Sequence, residues 1–135
     1  MFQKTIELPS FRRGLHDFTA AVRAAVAESD VRAGLCHLFL QHTSASLLIQ
    51  ENADPRVLRD LEAWFFRMVP DGDRLWTHVD EGPDDMPSHV RAAITQPSLT
   101  IPVLDGHLAL GVWQAVYLFE HRLAPHRRRV VITIW

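Results

Sequence analysis

Two histidines enclose a group of carboxylates in the middle of the chain. His78 and His89 bracket Glu81, Asp84 and Asp85 within a stretch of twelve residues. Imidazole nitrogen and carboxylate oxygen are ligands of zinc and similar ions, and carboxylates alone suit magnesium. Two prolines in the same stretch restrict its backbone, so the side chains could converge at a low entropic cost. An acidic loop that faces water is the alternative, and the pattern favours a functional site.

A second polar group follows a predicted buried strand. His42, Thr43 and Ser44 offer one titratable ring and two hydroxyls, which could hold a phosphate, orient a substrate or bind a metal. A strand end whose hydroxyls satisfy a turn is the alternative interpretation. His42 could also join His78 and His89 in a three-histidine site with an open position for water, an arrangement typical of catalytic zinc.

Two further polar segments allow both a structural and a functional interpretation. Glu51 and Asn52 precede the helix start at Asp54-Pro55, where free backbone N–H groups favour an anion, although a solvated turn explains them equally well. Arg122 could clamp a phosphate through two parallel hydrogen bonds or form a structural ion pair. All three residues are therefore candidates for substrate binding.

Hydrophobic periodicity indicates the helices that must position these groups. Helical spacing predicts a first helix from Asp17 to about Ser29 and a second from Asp54-Pro55 to the break at 70–72. A short third helix is expected with Pro87 in its first turn. Its buried face is predicted from three apolar residues, Val90, Ala93 and Ile94.

The remaining apolar segments are typical of strands. Segment 46–50 is expected to continue or pair with segment 33–41, and Asp105-Gly106 suits the tight turn of a hairpin. Strands and helices mix without a regular βαβ alternation, which favours an α+β domain with a mainly antiparallel sheet. The predicted strands are 3–8, 33–41, 46–50, 75–79, 99–103, 107–110, 112–120 and 130–135.

Several side chains are given structural roles. Cys36 lies in an apolar stretch and is expected to be a buried thiol. The aromatic run 64–66 and Trp113 are expected to fill the core. The basic run 127–129 is interpreted as a solvated guard on an edge strand, because edge charges discourage association between strands.

Length and composition set the limits of function. The 135 residues, 47% of them hydrophobic, are enough for one domain that covers residues 1–135. The net charge of −2 argues against nucleic acid or an anionic membrane as a partner. No apolar run reaches the roughly 20 residues that cross a bilayer, and the first residues do not form a signal peptide, so the cytoplasm is the expected compartment.

Six short segments, in this order along the chain, resemble the YjbQ-like family. The resemblance implies an α+β fold with a curved, mainly antiparallel sheet and two to three helices, a homotrimer, and a pocket of polar residues with a bound divalent metal, zinc or magnesium. The segments are Leu40-Gln-His-Thr-Ser-Ala-Ser46, Glu51-Asn-Ala-Asp-Pro55, Glu81-Gly-Pro-Asp-Asp-Met-Pro-Ser-His89, Ser98-Leu-Thr-Ile-Pro102, Leu110-Gly-Val-Trp-Gln114 and Glu120-His-Arg122.

The resemblance also implies an activity, a secondary thiamine-phosphate synthase reaction that joins hydroxymethylpyrimidine diphosphate to thiazole phosphate. A metal held by Glu81, Asp84 or Asp85 would neutralise the departing diphosphate. Through the same resemblance Trp113 joins the substrate-binding group of His42, Thr43, Ser44, Glu51, Asn52 and Arg122. A different metal-dependent enzyme, a hydrolase or lyase on a small phosphorylated metabolite, is the first alternative. A non-catalytic trimeric module that binds a metabolite is the second.

Overall fold

The chain forms eight strands and three helices, and a computed structural model describes all 135 residues. None of the helices is long and apolar enough to cross a bilayer. The elements are β1 (Phe2–Phe11), β2 (Gly14–Asp17), α1 (Thr19–Ser29), β3 (Gly34–Leu40), β4 (Ala45–Glu51), α2 (Pro55–Met68), α3 (Asp85–Ile94), β5 (Ser98–Leu104), β6 (His107–Leu108), β7 (Gln114–Glu120) and β8 (His126–Ile134).

The strands form two sheets in which every pairing is antiparallel. One sheet has the order β1-β8-β3-β5-β6 and the other the order β2-β7-β4. The α+β class with a curved, mainly antiparallel sheet and three helices is therefore confirmed. The hairpin at Asp105-Gly106 is confirmed as well, since both residues have the positive φ angles that a tight two-residue turn requires.

The main core lies between the five-stranded sheet, the inner face of the three-stranded sheet and α1. Alternate side chains of β3 and β8 point into it, including Leu38 and Ile132, which are paired across the two strands and fully buried. Each such side chain stabilises the fold by about 1.5–3 kcal/mol. Helix α1 contributes Val22 and Val26 to this core. Cys36 is a buried thiol as predicted, and burial raises its pKa to about 11.

A smaller core lies on the other face of the three-stranded sheet, under α2. Phe119 of β7 meets Phe65 edge to face, with 5.2 Å between the ring centroids. Asp54 caps α2 as predicted, because its carboxylate accepts the N–H of Arg56. The prediction that Trp64 and Trp113 fill the core is wrong, since their exposed fractions are 45% and 61%.

Three further predictions are wrong in the region around the third helix. Segment 75–79 forms turns and no strand, and segment 46–50 pairs with β7 in the other sheet rather than with β3. Helix α3 buries a mostly polar face, whereas Ala93 and Ile94 are exposed. The helix packs over a network of ion pairs instead of the apolar core. Its buried residues are Asp85, Pro87, Ser88 and Arg91.

The basic run 127–129 does not guard an edge. It lies in β8, which pairs with β1 on one side and β3 on the other. Strand alternation turns Arg128 inward, where its guanidinium is bonded to the carboxylate of Glu120 at 2.6 and 2.9 Å. Arg127 and Arg129 point to solvent. The central arginine is therefore one half of a buried ion pair between β7 and β8.

Candidate functional site

Two histidines and one carboxylate converge at the start of α3. Asp85 and His89 lie four residues apart and so share one face of the helix, while His78 comes from the preceding loop. Oδ2 of Asp85 is 2.7 Å from Nε2 of His78 and 3.1 Å from Nε2 of His89. The three ligand atoms lie within 4.8 Å of one another. These three residues are called the His78–Asp85–His89 cluster below.

The tautomer of His89 is determined by its second hydrogen bond. Nδ1 of His89 lies 2.9 Å from the carbonyl oxygen of Thr43. A carbonyl can only accept, so Nδ1 must carry a hydrogen. In the neutral ring Nε2 then presents a lone pair to the carboxylate of Asp85, and two acceptors face each other at 3.1 Å. A cation is needed there, either a second proton on the imidazole or a metal ion.

The carboxylate of Asp85 is fixed from its other side by Arg122. The guanidinium donates from Nη1 to Oδ1 of Asp85 at 2.7 Å and from Nε to Oδ2 of Asp84 at 2.9 Å. The N–H of Leu123 also donates to Asp84, and Nη2 of Arg122 donates to the carbonyl of Glu81. Of the two interpretations of Arg122, the structure shows the ion pair, because its donors are directed at carboxylates.

These contacts set the protonation of the two aspartates. Burial by itself raises the pKa of Asp85, but the hydrogen bond from His78 and the charge of Arg122 oppose it, and the pKa lies below its usual value. Burial also opposes ionisation of Asp84, and the hydrogen bonds from Leu123 and Arg122 lower its pKa in the same way. Both groups are carboxylates at neutral pH.

A partly buried network of ion pairs anchors the loop that carries His78. Asp71, at the start of this loop, accepts from Arg13 at 2.7 and 3.0 Å and from Arg91 at 2.6 Å. Both arginines also donate to the carbonyl of His121, and so does the hydroxyl of Ser88. Arg13, Asp71 and Arg91 were not predicted. The only sequence signal was an arginine three residues after Ser88, on the same face of α3.

His42 lies next to the cluster but outside its ligand group. Its Nε2 accepts the backbone N–H of Arg129 at 3.1 Å. With His89, His42 and Thr43 line a pocket of about 320 Å³. His78 lines a different pocket of about 460 Å³ on the other side, together with Trp76 and Met86 among others. The cluster therefore lies between two pockets.

The other predicted residues lie in different places. Glu81 is largely exposed, with Oε2 3.7 Å from Nε2 of His78. Glu51 and Asn52 lie at the far end of β4 from Ser44, where the N–H of Asn52 donates to the carbonyl of Trp113. A seven-residue strand is roughly 20 Å long, so within one chain these three residues do not reach the cluster.

Comparison with known proteins finds similarity over the whole chain. A family model described as UPF0047 protein YjbQ-like matches residues 4–135. A UPF0047 protein of Synechocystis is 47% identical over 132 residues, 98% of this chain and 90% of that protein. The UPF0047 protein YjbQ of Escherichia coli is 43% identical over 134 residues, 98% of this chain and 96% of that protein. The crystal structure of a YjbQ/UPF0047-family protein from Clostridium acetobutylicum has a TM-score of 0.86 at 31% identity and covers 100% of both chains.

Proposed function

This chain belongs to the YjbQ-like UPF0047 family, and from that premise and the geometry of the cluster we propose that it is a divalent-metal-dependent enzyme acting on a small phosphorylated metabolite. His78, Asp85 and His89 are the residues that hold the ion. The observation that carries the proposal is the hydrogen bond from Nδ1 of His89 to Thr43, which leaves the Nε2 lone pair facing a carboxylate.

The donor set fits zinc or a similar transition ion better than magnesium. Two imidazole nitrogens and one carboxylate oxygen are typical of catalytic zinc sites, whereas magnesium prefers oxygen ligands alone. Arg122 already bonds one oxygen of Asp84 and one of Asp85, which leaves fewer carboxylate oxygens for a magnesium ion. When bound, a zinc ion would supply Lewis acidity, which activates water and stabilises negative charge on the substrate.

Two contacts within the chain orient the side chains of the cluster without any bound ligand. The Thr43 carbonyl fixes the ring of His89, and Arg122 fixes the carboxylate of Asp85. Such supporting contacts hold ligands in one orientation and are part of the design of metal sites in proteins. Because the donors suit water activation, hydrolysis or elimination is the reaction class that the cluster favours.

The thiamine-phosphate synthase-like transferase is the second candidate. The position of the cluster between two pockets favours it, because a reaction that joins two molecules needs a place for each beside the reacting centre. In this version hydroxymethylpyrimidine diphosphate and thiazole phosphate occupy one pocket each. Formation of thiamine phosphate by the purified protein, absent in the His89→Ala variant, is the result that would select it over a hydrolase or lyase.

The test of the metal site is the metal content of freshly purified protein, measured by mass spectrometry. We expect near-stoichiometric zinc in the parent and its loss in His78→Ala and in His89→Ala. His37→Ala is the matched control, because His37 is bonded to Thr100 and lies outside the cluster. Zinc-loaded protein is then assayed against a panel of phosphorylated metabolites. No metal in the parent, or equal metal in all four proteins, would contradict the proposal.

A homotrimer is part of the same proposal. Large apolar side chains on the outer face of the five-stranded sheet are exposed, among them Phe39 at 45% and Trp135 at 49%, and a subunit contact would cover such residues. Light scattering should give three times the mass of one chain, and a monomer mass would contradict the homotrimer. Stabilisation by a metabolite without turnover would favour the non-catalytic trimeric binding module instead.

A further inference from the structure

The loop between β3 and β4 presents three side-chain donors on consecutive residues. The first is His42, whose Nε2 accepts the N–H of Arg129. A backbone N–H can only donate, so Nε2 carries no hydrogen and the neutral ring holds its proton on Nδ1. Nδ1 has no partner in the protein, and neither do the hydroxyls of Thr43 and Ser44. This set of three is called the His42–Ser44 loop below.

All three donors are accessible to a ligand. The only buried side-chain nitrogen or oxygen atoms without a partner are Nε1 of Trp76 and Nδ1 of His121, so the donors of the His42–Ser44 loop reach the solvent. They open into the two small pockets that His42 and Thr43 line, one shared with His89 and the other with Ser44 and Arg128. Free donors at a pocket wall are what an oxygen-rich ligand needs.

The lining of the two pockets carries no negative charge that would repel an anion. No carboxylate residue lines either pocket, and Arg128 at the wall of one of them is paired with Glu120. Burial, followed by the charges of Arg128 and Arg129, lowers the pKa of His42, so the ring stays neutral and keeps its single outward N–H at neutral pH. Hydrogen bonds to an ionised acceptor are stronger than those to a neutral one.

The ring of His89 separates this loop from the His78–Asp85–His89 cluster. Its Nδ1 edge faces the carbonyl of Thr43, and its Nε2 edge faces Asp85. A ligand held by the loop therefore lies on one side of the imidazole, and the ligand atoms of the cluster lie on the other. The two binding functions are adjacent but do not share donors.

We propose that His42, Thr43 and Ser44 form an oxyanion subsite that holds the phosphate of the substrate as a handle, while a different group of the same molecule faces His78, Asp85 and His89. The substrate is then a small phosphate monoester with a second polar group, and its phosphate is not the group that reacts. The part played by the cluster rests on the proposed function, whereas the subsite itself does not.

The experiment is a calorimetric titration of the zinc-loaded protein with inorganic phosphate, beside two variants that divide the site. His42→Ala removes a donor of the loop and leaves the ligand atoms of the cluster. His78→Ala removes a ligand and touches nothing in the loop. We expect His42→Ala to weaken phosphate binding about tenfold or more at unchanged zinc content. His78→Ala should lose zinc and bind phosphate within about threefold of the parent.

Two outcomes would overturn the inference. Phosphate that binds with unchanged affinity to His42→Ala and no longer binds to His78→Ala would be a ligand of the metal. Acetate bound as tightly as phosphate would assign the subsite to carboxylates. His42→Asn, which restores an N–H donor, should recover part of the affinity, and thermal melting of every variant shows whether it is folded. A parent without zinc that still binds phosphate through His42 would refute the proposed metal site and leave the subsite intact.

Discussion

At the scale of single residues, two guanidinium groups organise the buried charges of the molecule. Arg122 holds Asp84 and Asp85 at the cluster, and Arg128 holds Glu120 just behind it. All three carboxylates are almost completely buried. A buried carboxylate without a partner is strongly unfavourable, so each arginine is needed by the charges it contacts.

Replacing Arg122 should destabilise the protein most at neutral pH and less in acid, where a buried carboxylate without its partner can be protonated. In the parent the pKa of Asp84 is lowered, so the stability it contributes is present above the unfolded value of about 3.9 and is lost only as pH falls through the folded pKa. Arg122→Met removes the charge and hydrogen bonds that oppose burial, so this pKa rises. The free energy of unfolding at pH 7 should fall by about 3 kcal/mol. Urea denaturation of parent and variant between pH 4 and pH 7 measures this free energy.

The exposed Arg74 provides the control for this prediction. Arg74→Met removes the same charge from the loop before His78 without touching a carboxylate, and its stability should stay within about 0.5 kcal/mol of the parent. Equal losses in the two variants would mean that net charge, not the contact with Asp84 and Asp85, is responsible.

His121 predicts a second dependence on pH, at higher values. Burial, and then the charges of Arg91, Arg128 and Arg13, lower the pKa of this histidine to about 3. Between that value and the unfolded value of about 6.5 the unfolded chain binds a proton that the folded protein does not, so stability falls as pH falls. From pH 7 to pH 5 the loss is about 2 kcal/mol.

The variant His121→Gln should lack this loss. Glutamine can still bond the hydroxyl of Ser46, which His121 contacts at 2.9 Å, but it does not titrate. Urea unfolding of parent and variant at pH 7 and pH 5 should show a smaller decrease in the variant. Parallel decreases would assign the pH dependence to other groups.

At the scale of elements, the inward-facing Arg128 of β8 should contribute more to stability than its two outward-facing neighbours. Arg128→Met should lower the free energy of unfolding by about 3–5 kcal/mol, because it leaves Glu120 charged and buried. Arg127→Met and Arg129→Met, one residue away on the exposed face, should change it by no more than about 0.5 kcal/mol. Urea denaturation measures the three variants, and equal losses of stability in all three would exclude a stabilising role for the Arg128–Glu120 pair.

The same element shows what could be predicted from sequence. A capping aspartate with proline gives the start of α2, because that signal is local. For β8 the sequence predicted only the part from residue 130 onward, and the basic run before it was interpreted as solvated. The partner of Arg128 could not be predicted, since Glu120 meets it only through the pairing of separate elements. For α3 the apolar residues indicated the wrong face, because the helix covers an ion-pair network.

The candidate site was also predicted only in part from the sequence. The sequence predicted that the side chains of segment 78–89 could converge, and the structure brings together three of them, His78, Asp85 and His89. That His42 stays outside the ligand group depends on the N–H of Arg129, a contact made across separate strands. Whether Glu51, Asn52 and Trp113 belong to the site stays a prediction.

At the scale of the whole molecule, binding of zinc should raise thermal stability. A ligand that binds only the folded state adds about 2.7 kcal/mol at a free concentration of 100 times its Kd. For a domain of this size that corresponds to a rise in Tm of roughly 10 °C. Calorimetry of the parent with and without a chelator measures the shift. His78→Ala should show no shift, and a full shift in that variant would place the ion elsewhere.

Strand β7 contributes side chains to both cores, and its burial should limit the motion of the candidate site. Its side chains are buried on both faces, and β2 and β4 cover both of its edges. Its amide hydrogens should therefore exchange with solvent only when the whole domain unfolds. The strand ends at Glu120, and His121 and Arg122 follow directly beneath the cluster. The candidate site is thus attached to a part of the protein that opens only on global unfolding, so its side chains are already ordered before any ligand binds.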